Sequence, residues 1–469
     1  MLAGMPDEIA FAPAVELARL VAGRQVSPVE LVALFVERIE RLDKDLNSVV
    51  TIDAERALAV ARQQEAVAGA PDAPPLLGAP ILIKDLTMTA GLRTTFGTAT
   101  CAEFVPSFDD GHIARLRRAG FILLGKTNVP EWGTVPFTES RLLGPCRNPW
   151  DLGRTPGGSS GGAAAAMAAG LTPVAHGSDG AGSIRIPASN CGLFGIKPSR
   201  GRISKAPIYG DGMLAFGSAG PIARHVIDAA TLLDVLRGTT PGDPYWAPKP
   251  PHAYAEDAGR DPRPLRIGLV DSVPWATFDE EALATVHSAV TLFERLGHTV
   301  EACALPLDER LRDDFEVAYT AGLAANPVDH ATFEPYNAGV AEIGRAHSAP
   351  RLLAAIVSLQ QQSSAIVRAA MRYDVICSPT LTRPTLKIGE LAGLDTRPML
   401  DALERYIGLT PLANITGQPS MSLPLHWSPS GLPVGVMVTG RPADETTLFQ
   451  LAGQAERATG WAARRPPIS

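Results

Sequence analysis

Helical stretches alternate along this chain with short, almost purely apolar runs. The clearest helix is SPVELVALFVERIERL (27–42), where Ser27 stands as N-cap, Pro28 takes the first helical position and Glu30 completes a capping box. The apolar runs are SVVTI (48–52), APILI (79–83), FILL (121–124), TPVAH (172–176), RIGLV (266–270), YDVICS (373–378), SMSLPL (420–425) and GVMVTG (435–440). Runs this short, separated by helical pattern, predict strands of a largely buried sheet covered by helices. Residues 305–372 are helical in pattern with few Gly or Pro and predict a cap or insertion beside the sheet. The Pro-rich, charged stretch 239–264 reads as a surface excursion or a domain boundary.

Composition narrows the classes. With 469 residues, 45% hydrophobic and 19% charged, the chain can bury a large core. A net charge of −7 over this length leaves no basic footprint, so nucleic acid is not an expected partner. Cys101, Cys146, Cys191, Cys303 and Cys377 are odd in number, far apart and without CxxC spacing, which predicts reduced thiols in a cytoplasmic protein. Asp7 and Glu8 stand where a signal peptide needs a basic start, and no run of eighteen apolar residues occurs. A soluble protein without a membrane anchor is the expectation.

The segment RTPGGSSGGAAAAMAAG (154–170) is the first candidate for chemistry. A phosphate loop needs a lysine after its last glycine, and Ala163 follows Gly162 here. Gly157-Gly158-Ser159-Ser160-Gly161 fits the spelling of a hydrolase nucleophile elbow, yet the elbow requires a buried strand just before its serine, and NPWDLGRTP is polar and turn-forming. A tight turn leading into a thin alanine helix that packs on the sheet accounts for the small residues but not for two adjacent serines.

A second glycine-rich stretch, HGSDGAGSIRIPASNCGLFGIKPSRG (176–201), surrounds Ser183 with Asp179 and Arg185 on either side. Successive N–H groups of Gly180, Ala181, Gly182 and Ser183 can converge on one point and hold an oxyanion. The plainer alternative is a glycine-rich connection braced by a buried Asp179–Arg185 pair. Ser183 would need a base, and Lys84, in GAPILIKDLTMTAG, ends a buried strand where desolvation lowers an amine's pKa. An ion pair with Asp85 or a solvated strand end is its alternative.

In combination these segments resemble the amidase signature family. Lys84, the GGSSGG loop and D-x-x-G-S-I-R-I-P fall at the family's spacing, 75 residues from Lys84 to Ser159 and 24 from Ser159 to Ser183. GKTNVPEW (125–132), GPCRNPWD (144–151), GIKPSRGRIS (195–204), GPIARHVIDAATLLDVLRG (220–238) and TPLANITGQPSMSLPL are also similar to it. The resemblance implies one amidase domain over 1–469, a three-layer α/β/α sandwich around a large mixed sheet, with 305–372 as a helical substrate cap. It implies Ser183 as nucleophile, Lys84 as ultimate base and Ser159, on a cis peptide bond, as proton relay, with Gly180, Ala181, Gly182 and Ser183 as the oxyanion hole. Trp132, Gly133, Thr134 and Val135 are expected to line the acyl side of the pocket. No cofactor and no metal are expected; the expected partners are a small-molecule amide and a second copy of the chain in a homodimer.

The family usually has glycine where this chain has Ala181, so an ordinary φ is expected there. Ser160 is expected to hydrogen-bond locally, and Asp179 with Arg185 to brace the loop. The alternative function is the glutamine-hydrolysing subunit of a tRNA-dependent amidotransferase, which usually carries glutamine at the position of Ile186. An apolar Ile186 favours an ordinary amidase of less polar substrates, with side esterase activity.

Overall fold

The computed structural model describes residues 6–208 and 215–469. Its strands are β1 (Val49–Ile52), β2 (Pro80–Lys84), β3 (Ile122–Thr127), β4 (Glu139–Ser140), β5 (Gly144–Pro145), β6 (Ala175–Asp179), β7 (Phe194–Lys197), β8 (Ser218–Ala223), β9 (Arg266–Leu269), β10 (Thr299–Ala302), β11 (Val375–Pro379), β12 (Ser420–Trp427) and β13 (Pro433–Gly440). Eleven form one mixed sheet in the order β1-β3-β2-β6-β8-β7-β12-β13-β11-β9-β10, and β4 with β5 makes a small separate hairpin.

Each of the eight apolar runs overlaps a strand, although TPVAH predicts residues 172–176 and the strand begins at Ala175. Three sheet strands carried no such signal. β8 (SAGPIA) is interrupted by Gly and Pro, β7 lies in the glycine-rich GLFGIK, and β10 is an edge strand whose residues are only partly buried. The predicted helix runs Pro28–Leu46 with its capping box formed, Ser27 Oγ accepting from Val29 N at 3.0 Å and Glu30 from Ser27 N at 2.9 Å.

Alternation along β2 divides the core between two faces of the sheet. Ile81 and Ile83 pack with Ile113, Leu116 and Phe449 on one side, while Leu82 packs with Leu31, Phe35 and Ala61 on the other. The alanine helix Gly161–Ala168 is buried along its whole length and lies on β2, β3 and β6. Its second residue shows why no side chain is tolerated: a Cβ on Gly162 would lie 2.3 Å from the backbone nitrogen of Asn128. Helix and strand ends therefore meet backbone to backbone.

Residues 305–372 form three helices, Glu309–Ala324, Pro335–Ala346 and Ala349–Ala370, packed on one another. Between 239 and 264 a short helix, Tyr254–Ala258, ties the excursion down, with Tyr254 fully buried and its ring 5.3 Å from that of Phe449. All five cysteines are free. Among the described residues no helix is long and apolar enough to cross a membrane.

Candidate active site

β2 and β6 are parallel neighbours, with Ile83 opposite His176, so their C-terminal ends lie side by side. Lys84 ends the first, and the loop carrying Gly180–Ser183 follows the second. These are the C-terminal ends of parallel strands, the position at which α/β proteins bind ligands.

Lys84 is fully buried. Its Nζ donates to Ser159 Oγ at 2.9 Å and to the carbonyl of Ser178 at 3.0 Å. The alternative pairing with Asp85 does not occur: successive strand residues point to opposite sides, and Asp85 accepts from Thr95 N at 3.0 Å and sits 4.0 Å from Lys126. Burial draws the Lys84 amine down to about 7, against the opposing pull of the Asp179 carboxylate. A depressed lysine alone does not define the site. Lys197 is also drawn by burial to about 7, but its Nζ donates to Pro198 O at 2.7 Å and reaches no serine hydroxyl. Partner, more than pKa, singles out Lys84.

Ser159 lies at the start of the alanine helix, and its peptide bond with Gly158 is cis. Ser160 Oγ donates to Ser178 O at 3.1 Å, the local role expected for it. Ser183 Oγ makes no hydrogen bond to another described residue, so the protein's own chain of polar contacts runs from Lys84 to Ser159 and ends there. Ser159 and Ser183 open on one cavity.

The loop after β6 that carries Ser183 is held from inside. The Asp179 carboxylate receives Arg185 Nε at 3.0 Å and Nη2 at 2.9 Å, with both side chains fully buried. Burial alone would raise this carboxyl; the Arg185 guanidinium and its hydrogen bonds override that and hold it well below the usual carboxylate range. Asn414, which nothing in its own stretch of sequence singles out, closes the group. Its Nδ2 donates to Asp179 O and Oδ1, both at 3.0 Å, and its Oδ1 accepts from Arg185 at 2.7 Å. A fully buried pair stays charged only when its remaining hydrogen-bonding capacity is met in this way.

One expected donor is corrected. Gly182 gives its N–H to Asp179 Oδ1 at 2.7 Å, so it is not free to meet an oxyanion. The N–H groups of Gly180, Ala181 and Ser183 have no backbone partner among the described residues, and these three residues are half-exposed beside the cavity. Ala181 is absent from the positive-φ residues, as its side chain requires, whereas Gly182 has φ +125°. A Cβ on Gly182 would also lie 2.7 Å from Ile186 Cδ1 and Thr410 Oγ1. Gly182→Ala is therefore expected to displace the loop and lower kcat/KM by about 10²-fold or more while circular dichroism stays unchanged; unimpaired turnover would detach this loop from the chemistry.

The cavity has a volume of about 460 Å³. Trp132, Gly133, Thr134 and Val135 border it, with Trp132 stacked on Phe96 at 5.4 Å and a Cβ on Gly133 only 3.0 Å from Ser159 Oγ. Two helices of the 305–372 region hydrogen-bond to this loop. Tyr319 OH donates to Thr134 O at 2.8 Å, Thr134 Oγ1 to Asn337 at 2.7 Å, and Asn337 Nδ2 to Glu131 at 2.7 Å. Phe315, Tyr319 and Tyr336 of the 305–372 helices border the cavity, and so do Leu400, Leu403 and Ile407 of a further helix, Thr396–Ile407. That helix was missed because its sequence, TRPMLDALERYI, carries no sign of which wall it faces.

Glu316, Asp401 and Glu404 bring carboxylate oxygens within 4.8 Å of one another. Arg397 donates to both oxygens of Glu316 at 2.8 Å and stands 3.6 Å from Asp401, so a cation of the chain itself already occupies this group.

A family model described as Amidase matches residues 30–449. AmiB2 of Mycobacterium tuberculosis, which carries an amidase name, is 40% identical over 99% of this chain and 100% of its own. The 6-aminohexanoate-cyclic-dimer hydrolase of Pseudomonas sp. is 36% identical over 96% of this chain and 95% of its own, and a glutamyl-tRNA(Gln) amidotransferase subunit of Geobacter sp. 31% over 97% and 98%. Among solved structures, a 6-aminohexanoate cyclic dimer hydrolase superposes with a TM-score of 0.91 at 33% identity, covering 98% of this chain and 99% of that one.

Proposed function

This chain belongs to the amidase family and is an amidohydrolase, and on that premise we propose that it cleaves a small-molecule amide through an acyl-enzyme on Ser183. The observation that carries the reading is the 2.9 Å bond between buried Lys84 and Ser159, whose cavity is also that of Ser183.

In this mechanism neutral Lys84 Nζ takes the proton of Ser159 as Ser159 Oγ takes that of Ser183, and Ser183 Oγ bonds to the amide carbon. The carbonyl oxygen becomes an oxyanion held by N–H groups of Gly180, Ala181 and Ser183, a stabilisation worth about 3–4 kcal/mol per key donor. Collapse breaks the C–N bond, and the proton on Lys84 returns through Ser159 to the departing nitrogen, which leaves as the free amine. Water then repeats the sequence against the ester, releasing the acid and restoring Ser183. Preorganisation comes from the Asp179–Arg185–Asn414 group, which holds the oxyanion loop without touching substrate. Free thiols fit a reducing, cytoplasmic setting.

The glutamine-hydrolysing alternative meets a specific difficulty in Ile186, which is 2% exposed and places an apolar side chain in the cavity wall. Purified chain without partner proteins is expected to hydrolyse a neutral aryl amide and to leave glutamine intact, read by mass spectrometry. Glutamine turnover that appears only on adding the other amidotransferase proteins would reverse the choice.

A further inference from the structure

On its cap side the catalytic cavity is mostly apolar, with Glu316, Glu404 and the hydroxyls of Tyr319 and Tyr336 as its polar groups. Leu400, Leu403 and Ile407 project into it from the helix Thr396–Ile407, and between them stands Glu404. Its side chain is only 11% exposed. No described residue donates a hydrogen bond to its carboxylate; Arg312 Nε makes only a long ion pair with it at 3.7 Å, and that guanidinium gives its hydrogen bonds to Asp313, from Nη2 at 2.8 Å and from Nε at 3.2 Å. The contrast with Glu316 is sharp. That residue borders the same cavity, yet both its oxygens are met by Arg397 at 2.8 Å.

A carboxyl this buried costs free energy unless hydrogen-bond donors reach it. From inside the protein none does, whereas from inside the cavity a ligand can. The surroundings also fix the charge of that ligand. Glu404, Glu316 and Asp401 face two guanidiniums, of which Arg397 is taken by Glu316 and Asp401 and Arg312 is shared with Asp313. A carboxylate end of a substrate would be repelled here. A primary ammonium, compact and with three donors, fits a short-reach, unmatched carboxylate.

We propose that Glu404 determines specificity by accepting a primary amine at the far end of the amide substrate. This rests on the reading of the cavity as the site of amide hydrolysis. The hydroxyls of Tyr319 and Tyr336, on the adjacent cap helices, are kept neutral by burial and add no charge. Burial and the nearby Glu316 hold the empty Glu404 carboxyl up at about 8, so an arriving ammonium displaces its proton, and binding of an amine substrate tightens as the pH rises toward 8.

The test uses three amides that share one scissile group and one chain length and end in an amine, a methyl group or a carboxylate. Binding is measured by calorimetry on the Ser183→Ala protein, and turnover on the wild type, each with and without Glu404→Gln. The amine ligand is expected to bind about tenfold tighter than the methyl one, and the carboxylate weakest, with the amine advantage carried by KM. Glu404→Gln should remove that advantage, and Glu404→Asp should restore part of it. Equal binding of the amine and methyl ligands, or a Glu404→Gln protein that keeps their ratio, overturns the proposal. Failure of the amidase reading shows differently, as wild-type protein that neither turns over any of the three nor takes up a fluorophosphonate at Ser183.

Discussion

Ser183→Ala is expected to abolish amide hydrolysis, lowering kcat by about four orders of magnitude or more, and to remove labelling by a fluorophosphonate at the same time. The substitution deletes one oxygen that has no hydrogen-bond partner among the described residues, on a half-buried residue at the cavity, so the fold loses no hydrogen bond. An unchanged thermal midpoint should accompany the loss of activity. Peptide mapping of the labelled wild type should find the adduct on Ser183. Substantial turnover by the alanine protein, or an adduct on Ser159, would overturn the assignment of the nucleophile.

The second large effect is expected at Lys84. Lys84→Met keeps most of the side-chain volume and deletes the nitrogen that meets Ser159 and Ser178. Burial already disfavours the charged amine, so an apolar replacement is expected to leave the protein folded while kcat/KM falls by about 10³-fold or more. The wild type adds a pH signature. Only neutral Lys84 can accept a proton, and its pKa is drawn down from 10.5 to about 7, so the active form grows as pH rises through 7. At pH 6 roughly a tenth of the molecules carry the neutral amine, and kcat/KM should fall about tenfold per unit below that limb. A profile flat between pH 5 and 8 would mean that Lys84 is not the base.

The parts legible in the sequence were those fixed by short-range patterns. Eight apolar runs predicted eight strands, and the S-P-V-E start of one helix specified its cap, because both signals lie within a few residues. The candidate site was legible because Lys84 and Ser183 sit in strand-end and glycine-rich settings and because their spacing with Ser159 resembles the family's. What the sequence hid depended on distant partners. Gly182 reads as an oxyanion donor until the Asp179 carboxylate is seen to claim its N–H. Asn414 is one polar residue in TPLANIT until it closes on Asp179 and Arg185. Glu404 lies in a helix that the sequence reading missed, and only the packing of Thr396–Ile407 brings it to the cavity.

The Asp179–Arg185–Asn414 group also has a consequence for synthesis of the chain. Asn414 follows Arg185 by 229 residues. A ribosome adding about 5–20 residues per second takes roughly 10 to 50 s to cover that interval, during which the nucleophile's loop has emerged without the amide that locks it. A nascent chain would thus carry Ser183 on an unlocked loop until Asn414 has emerged and the strands that follow it, β12 and β13, can add to the sheet.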